Sequence, residues 1–154
     1  MVAGCPDPDP RTAGKGIESL RAAGLSAELL SNAACEASLA GYLVRTRQGR
    51  PHVTLKLAIS QDGALARPPG GSHWITGEAS RAHVHAIRAK MDAILVGSGT
   101  VRADNPRLDV RLPGLESRSP QRWVLTSGAA PAGWQAITSP SAIKQMNDAQ
   151  YLMV

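Results

Sequence analysis

The sequence predicts an α/β fold with a mostly parallel sheet, on three observations. Apolar runs that suit strands, at residues 53–59 and 93–96, are separated by a stretch with helical character. The 154 residues are 43% hydrophobic and 19% charged, which is typical of a globular chain and not of a disordered one. Aromatic residues make up 3% and Phe is absent, so we expect a core of Leu, Ile, Val and Ala.

The first 49 residues predict a loop, two helices and one short strand. Residues 6–12 form a proline-punctuated loop, and residues 17–23 have apolar positions at helical spacing, with Gly24 as a helix stop. Residues 25–30 suit a strand. Asn32 fits the N-cap of a helix that runs to about residue 47. The sequence Gln-Gly-Arg-Pro at residues 48–51 breaks that helix and marks the main boundary of the chain.

The remaining residues predict alternating strands and helices. Residues 53–59 suit a buried strand, residues 60–63 a turn, and residues 67–71 an irregular Pro/Gly loop. Thr76 fits the N-cap of a helix over residues 77–90. Residues 93–96 and 123–125 suit two further strands. A strand, a helix and a final strand at residues 151–154 complete the prediction.

The charge of the chain favours phosphorylated small molecules as ligands. The formal net charge is +5 and the pI is about 9.8, which fits either a basic soluble surface or a phosphate-bearing partner. The basic residues are dispersed and are not interleaved with aromatic residues, so a nucleic-acid partner is disfavoured. Cys5 and Cys35 form no Cys-x-x-Cys pair, and neither a spanning apolar run nor a secretory signal is present. We therefore expect a cytoplasmic protein with no membrane partner.

A glycine-rich segment, Gly-Ser-Gly-Thr at residues 97–100, is the strongest local signal for a phosphate site. Glycines allow a backbone to approach a pyrophosphate closely, and the amides at a following helix start favour anions. Arg102 occupies the position of the last glycine in the full dinucleotide fingerprint, and no P-loop lysine follows. An ordinary strand-to-helix turn is the alternative.

Several other residues have both a functional and a structural interpretation. Lys56 is either an edge-strand lysine or a cation placed for a ligand or for proton donation. Trp74 is either a core anchor or a stacking platform beside the Ser72 hydroxyl. Arg88 ends a predicted helix. Residues 104–111 form a loop with both charge signs, suited either to phosphate binding or to solvation.

The four histidines predict no metal site. His83 and His85 are two residues apart and therefore point in different directions on a helix. No Cys, Asp or Glu stands at ligand spacing beside them. The Gly-x-Ser-x-Gly nucleophile motif is also missing, which disfavours nucleophilic hydrolysis.

Taken together, these segments resemble the reductase domain of the bifunctional deaminase–reductase family of riboflavin biosynthesis. The matching text is VTLKLAISQDG at 53–63, SHWIT at 72–76, RAHVHAIRA at 81–89 and DAILVGSGTVRADNPRLDVR at 92–111. Gln61 replaces the apolar residue usual in that family. Residues 7–24 are also similar to the closing segment of the family's deaminase domain. The resemblance implies a dihydrofolate-reductase-like three-layer fold over residues 50–154 and the end of a cytidine-deaminase-like domain over residues 1–49.

The resemblance also implies an activity: hydride transfer from NADPH to the ribose of 5-amino-6-(5-phosphoribosylamino)uracil, a phosphorylated pyrimidine. The residues matching cofactor-contact positions are Ala58, Trp74, Thr100, Asp104 and Ser127, and the glycine-rich segment adds Gly97 and Gly99 as candidate cofactor contacts. The residues matching substrate-contact positions are Lys56, Ser72, Arg88, Leu108 and Arg111. The candidate catalytic residues are Lys56, for proton donation or sugar orientation, and Asp104.

Two departures from the family limit these expectations. The zinc motif of the deaminase domain is absent, so we expect no deaminase activity. The family's substrate glutamate and second glycine-rich loop are absent after Ser127, so we expect a reductase domain that is incomplete. We also expect a homodimer. A non-catalytic nucleotide-binding remnant is the alternative, and a nucleic-acid-binding module, suggested by the pI, is a third hypothesis.

Overall fold

The computed structural model describes residues 1–65, 74–145 and 150–154, which form two compact units. The first unit is Met1–His52 and the second is Val53–Val154.

The first unit contains short helices and one pair of short parallel strands. Its elements are β1 (Val2–Ala3), α1 (Lys15–Ala22), β2 (Glu28–Leu29), α2 (Ala33–Ser38) and α3 (Ala40–Gln48). The predicted N-cap is confirmed, because the Asn32 side chain accepts a hydrogen bond from the backbone N–H of Ala34 at 2.9 Å. The predicted helix stop is also confirmed, since Gly24 follows α1 with φ of 77°.

The single helix predicted between Asn32 and residue 47 is wrong, because the chain breaks it at Leu39. Leu39 ends α2 and precedes α3, with φ of −105° and ψ of 13°. The Ser38 hydroxyl donates to the carbonyl oxygen of Cys35 at 2.7 Å. Such local bonds from serine compete with the helical backbone pattern, which explains a break at this point.

The proline-punctuated loop of the first unit is held by two aspartates. Asp7 accepts hydrogen bonds from the hydroxyls of Thr12 and Tyr42, each at 2.7 Å. Asp9 accepts from the backbone N–H of Arg11 at 2.9 Å and from its guanidinium at 2.6 Å. The Asp9 backbone N–H, which donates to Asp7 at 3.0 Å, and then the two hydroxyls lower the pKa of Asp7, and the bonds from Arg11 lower the pKa of Asp9 to about 2.

The second unit is built on a five-stranded sheet. Its elements are α4 (Glu78–Arg88), β4 (Ala93–Gly97), α5 (Ser98–Asp104), the 3-10 turn η1 (Glu116–Arg118), β5 (Gln121–Leu125), β6 (Gln135–Ile137), the 3-10 turn η2 (Pro140–Gln145) and β7 (Gln150–Met153). The sheet also includes β3 (His52–Leu55), and its strand order is β3-β7-β4-β5-β6. The pairs β4–β5, β4–β7 and β5–β6 are parallel, which confirms the predicted α/β class with a mostly parallel sheet.

The core of this unit surrounds the central strand β4. Ile94, Val96, Leu108 and Leu152 are buried together, and Ile87, Met91, Val101, Trp134 and Val154 pack against them. Four consecutive residues of β4, from Ala93 to Val96, are at most 2% exposed. Burial on both faces is expected of an inner strand in a parallel sheet.

Two predicted boundaries in this unit need correction. The strand predicted over residues 53–59 ends at Leu55, although the backbone N–H of Lys56 still donates to the Met153 carbonyl at 2.8 Å. The predicted burial of this segment is also wrong, because its apolar side chains Val53, Leu55, Leu57 and Ile59 are exposed. The predicted N-cap Thr76 is not the cap: α4 follows Gly77, which has an extended backbone, with no side-chain cap bond. The Thr76 carbonyl instead accepts from the Arg81 guanidinium at 2.6 Å. The Pro/Gly loop predicted at residues 67–71 lies outside the described residues.

Among the described residues, no helix is both long and apolar enough to cross a bilayer. No group of three or more His, Cys, Asp or Glu side chains in the same part of the chain is arranged to hold a metal ion.

Candidate functional site

The carboxyl ends of two neighbouring parallel strands bring the glycine-rich segment next to Ser127. Gly97, the last residue of β4, is in register with Leu125, the last residue of β5. Ser127 follows two residues later, in an exposed turn where the Gly128 N–H donates to Thr126 Oγ1 at 3.1 Å. Ligands of open α/β sheets bind at this edge of the sheet.

The glycine-rich segment itself leaves its backbone accessible. Helix α5 begins at Ser98, directly after Gly97, without intervening loop residues. A Cβ atom added at Gly97 or at Gly99 would meet no atom within 4 Å. The residues present therefore allow a ligand to approach this backbone closely.

Lys56 lies at the same end of the sheet. Its backbone bonds to Met153, the last residue of β7, which is in register with Leu95 of β4. Partial burial and the nearby positive charge of Arg88 lower the pKa of the Lys56 ammonium. A lysine with a lowered pKa is a better proton donor near neutral pH than an exposed one.

A cluster of three arginines and one aspartate adjoins Lys56. The Arg88 guanidinium donates from Nη1 to the Asp109 carbonyl at 3.1 Å. The Asp109 carboxylate lies 2.7 Å from Arg107 Nη2 and 3.3 Å from Arg111 Nε. Burial and the charge of Arg111 lower the pKa of Arg88, whereas Asp109 raises it. With Lys56, the cluster holds four cationic side chains and one anionic side chain, and it therefore favours an anion.

The buried Nε of Arg88 has no hydrogen-bond acceptor among the described residues. A buried polar atom without a partner is rare, and each instance calls for an explanation. An anionic ligand beside this guanidinium would supply the missing acceptor.

At Leu108 only the backbone can face a ligand. Its side chain is 6% exposed and belongs to the core around β4, so it is not available to a ligand. Its backbone has φ of 54°, an uncommon conformation for leucine. The predicted substrate contact at Leu108 is therefore restricted to main-chain atoms.

Trp74 presents an aromatic surface. It is 55% exposed, and the Arg81 guanidinium carbon lies 4.8 Å from the centre of its ring. The core-anchor interpretation of this residue is wrong. Ser72, the predicted neighbour of Trp74, lies outside the described residues.

The remaining predicted residues are less closely grouped. Ala58 is half-buried in the segment between β3 and the turn at residues 60–63. Thr100 is half-buried in the first turn of α5, close to the two glycines. Asp104 is exposed at the opposite end of α5, about 6 Å beyond Thr100 along the helix axis. No ion pair joins Asp104 to Lys56 in the described part of the chain.

Sequence reasoning missed three residues that support the arginine cluster. His85 Nδ1 accepts from the Arg111 backbone N–H at 3.2 Å, and Ser119 Oγ accepts from the Val110 N–H at 2.9 Å. Asp109 contacts all three arginines. His85 and Arg88 are three residues apart on α4 and therefore lie on one helix face. This spacing is the one sequence signal from which His85 could have been predicted to lie beside Arg88.

Comparison with known proteins decides the family. The sequence model of the RibD C-terminal domain matches residues 51–145, which include the sheet edge and the arginine cluster described above. The chain belongs to this family. The expected resemblance to the reductase of riboflavin biosynthesis is therefore confirmed at the level of the family.

Individual relatives agree with this. The riboflavin biosynthesis protein RibD of Chlamydia trachomatis is 43% identical over 130 residues, covering 82% of this chain and 35% of that protein. RibD of Haemophilus influenzae is 46% identical over 112 residues, which cover 72% of this chain and 30% of that protein. The chain thus spans about a third of the length of these curated relatives.

Solved structures show the same fold. A Thermotoga maritima protein described as a diaminohydroxyphosphoribosylaminopyrimidine deaminase/5-amino-6-(5-phosphoribosylamino)uracil reductase superposes with a TM-score of 0.81 at 26% identity. Acinetobacter baumannii RibD superposes with a TM-score of 0.79 at 29% identity. Each match covers 99% of this chain and 53% of the solved chain. The neighbours agree with the expected dihydrofolate-reductase-like fold.

Proposed function

We propose that this chain carries substrate-contact and cofactor-contact residues of a reductase that uses NADPH to reduce 5-amino-6-(5-phosphoribosylamino)uracil to its ribitylamino product. The observation that carries the proposal is the linked set of Lys56, Arg88 and Arg111 in a RibD C-terminal domain. The relatives' names supply the reaction class, and the cationic cluster supplies a site for a phosphorylated substrate.

The arginine cluster would bind the phosphate of the substrate. Arginine suits phosphate because its planar fork gives two parallel hydrogen bonds. Arg88 is oriented by the Asp109 carbonyl and retains a buried Nε without an acceptor in the described residues. The Arg111 backbone N–H is hydrogen-bonded to His85, and the Arg111 side chain is half-exposed, so its guanidinium can reach a ligand. Leu108 would contribute its main chain.

Lys56 would orient the ribose and hold the proton that the opened sugar oxygen requires. Partial burial and the positive charge of Arg88 lower the pKa of Lys56, which makes that proton easier to release. Asp104 remains a proposed second participant, with a role in catalysis or cofactor contact.

The proposed cofactor surface consists of Ala58, Trp74, Gly97, Gly99, Thr100, Asp104 and Ser127. The open space beside Gly97 and Gly99 fits a pyrophosphate, and the exposed ring of Trp74 fits a flat base or nicotinamide. NADPH would supply the hydride, and the protein would align the donor and acceptor carbons.

An assay of the purified chain with NADPH and 5-amino-6-(5-phosphoribosylamino)uracil tests the proposal. We expect oxidation of the reduced nicotinamide that depends on the pyrimidine and that falls in Lys56→Met. A chain that binds both compounds but leaves NADPH unoxidised would contradict a catalytic role.

That result would instead support the alternative, a non-catalytic nucleotide-binding remnant. The sequence observation behind this alternative is that no second glycine-rich loop is found after Ser127. NADPH binding without turnover, measured by quenching of Trp74 fluorescence, is the outcome expected of a remnant.

We further propose that the protein is a homodimer in the cytoplasm and that residues 1–49 derive from a deaminase domain. Strand β3 ends the sheet, and four apolar side chains along residues 53–59 are at least 36% exposed: Val53, Leu55, Leu57 and Ile59. An exposed apolar edge strand favours pairing with a second chain. Sedimentation equilibrium would give a dimer mass for the native chain and a monomer mass for Leu57→Lys; a native monomer would contradict the proposal.

A further inference from the structure

Three consecutive residues of the loop after α5 are each held by a side chain from elsewhere in the unit. The Asp109 carbonyl accepts from Arg88, and the Arg111 N–H donates to His85 Nδ1. Between them, the Val110 N–H donates to Ser119 Oγ at 2.9 Å. The segment at residues 109–111 is therefore bound on every residue, immediately after the uncommon backbone of Leu108.

These bonds form a clamp that reaches the segment from two elements. His85 and Arg88 are three residues apart on α4 and bind the Arg111 N–H and the Asp109 carbonyl. Ser119, which follows η1, accepts from the Val110 N–H, and its own hydroxyl proton goes to the Glu116 carbonyl at 2.8 Å.

We propose that His85 is a positioning residue, which as a neutral imidazole fixes the Arg111 backbone and so directs the Arg111 guanidinium into the anion site. This role rests on the proposed function. His85 has no part in the chemistry of the reaction; it acts through Arg111, and nothing in the family match or the relatives' names assigns it a role.

The role depends on one tautomer of His85. Nδ1 accepts a hydrogen bond, so the single proton of the neutral ring must be on Nε2. Protonation would put a second proton on Nδ1, directly against the Arg111 N–H. The charged groups that face the ring are Arg88 on its own helix and Arg111 and Asp109 on the loop.

Those surroundings favour the neutral ring. Burial, Arg88 and Arg111 lower the pKa of His85 below its ordinary 6.5, and the Asp109 carbonyl and carboxylate oppose them. The hydrogen bond is therefore intact at neutral pH and is lost as the pH falls through the lowered pKa.

Amide hydrogen exchange of Arg111, measured by NMR at neutral pH, tests the clamp without any ligand. We expect exchange to be on the order of tenfold faster in His85→Ala than in the native chain. His85→Asn, which keeps an acceptor, should restore much of the protection. The control is His83→Ala on the exposed side of the same helix, which should leave Arg111 unchanged. Equal Arg111 exchange in the native and His85→Ala chains would overturn the clamp.

Calorimetry with ribose 5-phosphate as the probe tests the positioning role. We expect His85→Ala to weaken binding about tenfold, His85→Asn to weaken it less, and NADPH affinity to stay the same in all variants. Loss of Arg111 protection with unchanged ribose 5-phosphate affinity would overturn the positioning role alone. If the native chain bound no ribose 5-phosphate, the proposed function would fail and the positioning role with it, whereas the exchange data would still report on the clamp.

Discussion

Arg88 on α4 and Asp109 on the loop after α5 are joined by a hydrogen bond from guanidinium Nη1 to backbone carbonyl at 3.1 Å. This bond leaves the buried Nε of Arg88 without an acceptor in the described part of the chain. Nη1 thus has a structural partner, whereas Nε has none among the described residues, and it is for Nε that we propose an acceptor on a bound anion.

Replacing Arg88 by methionine tests this division. Hydrogen bonds to charged groups are worth roughly 1.5–3 kcal/mol, so we expect Arg88→Met to raise the dissociation constant for ribose 5-phosphate by about 10- to 100-fold. The matched control is Arg102→Met, because Arg102 is an exposed arginine of α5. Calorimetry provides the measurement, and equal weakening in both variants would indicate a general charge effect.

The last strand of the chain should be essential for stability. Leu152 is 0% exposed in β7, between β3 and β4. Truncation of a buried leucine costs about 2–5 kcal/mol, so Leu152→Ala should lower the free energy of urea unfolding by that amount. Leu65→Ala, at a residue that is 64% exposed, should change it by no more than about 0.5 kcal/mol. A similar small change in both variants would argue against a packed β7.

The position of β7 also marks what sequence reasoning could predict. The existence of strands β4, β5 and β7 could be predicted from short apolar runs, because a buried strand is itself made of apolar residues. The order of the strands in the sheet does not follow from these runs. Strand β7 lies between β3 and β4, and that pairing depends on contacts between segments far apart in sequence. Strand order therefore required the structure.

The candidate site divides in the same way. Arg88 and Arg111 could be predicted from the resemblance, and the glycine-rich segment from its own residues. Ser119 could not, because it binds a backbone group of another segment and such a bond leaves no pattern in the sequence. For His85 the only sequence signal is its spacing of three residues from Arg88. The burial of the Leu108 side chain was missed because the positive φ that turns it into the core is uncommon for leucine.

NADPH binding should be detectable at Trp74. The ring is exposed and stacked by Arg81, so a bound nicotinamide nucleotide should quench its fluorescence. In Trp74→Leu, with Trp123 and Trp134 still present, we expect most of the quenching to be lost. Trp134→Leu serves as the comparison, because Trp134 packs against the core. Loss of the signal in Trp134→Leu alone would assign the quenching to a different surface.

Acid should loosen the proline-punctuated loop of the first unit. The Arg11 side chain, followed by its backbone N–H, lowers the pKa of Asp9 from 3.8 to about 2. A depressed carboxyl pKa stabilises the folded loop above the ordinary value, and this contribution is lost as the pH falls from about 4 to about 2. The NMR shift of the Arg11 amide should titrate in that range, whereas Asp9→Asn should abolish the titration. A midpoint near 3.8 in the native chain would contradict the Asp9–Arg11 pairing.

Adding one methyl group at Gly99 in the glycine-rich segment tests cofactor binding without a loss of folding stability. Gly99 is within helix α5, where an added Cβ meets no atom within 4 Å. Alanine is favoured over glycine in a helix by roughly 0.5–1 kcal/mol, so Gly99→Ala should fold at least as stably as the native chain. If a pyrophosphate contacts this backbone, the same methyl group should weaken NADPH binding.

Gly16→Ala is the matched control for that experiment. Gly16 also lies in a helix, α1, with no atom within 4 Å of an added Cβ. It should gain stability by the same mechanism and leave the NADPH dissociation constant unchanged. Because both variants add one methyl group to an open helical position, weaker binding in Gly99→Ala alone would have to come from the ligand. Unchanged NADPH affinity in Gly99→Ala would remove the glycine-rich segment from the cofactor surface.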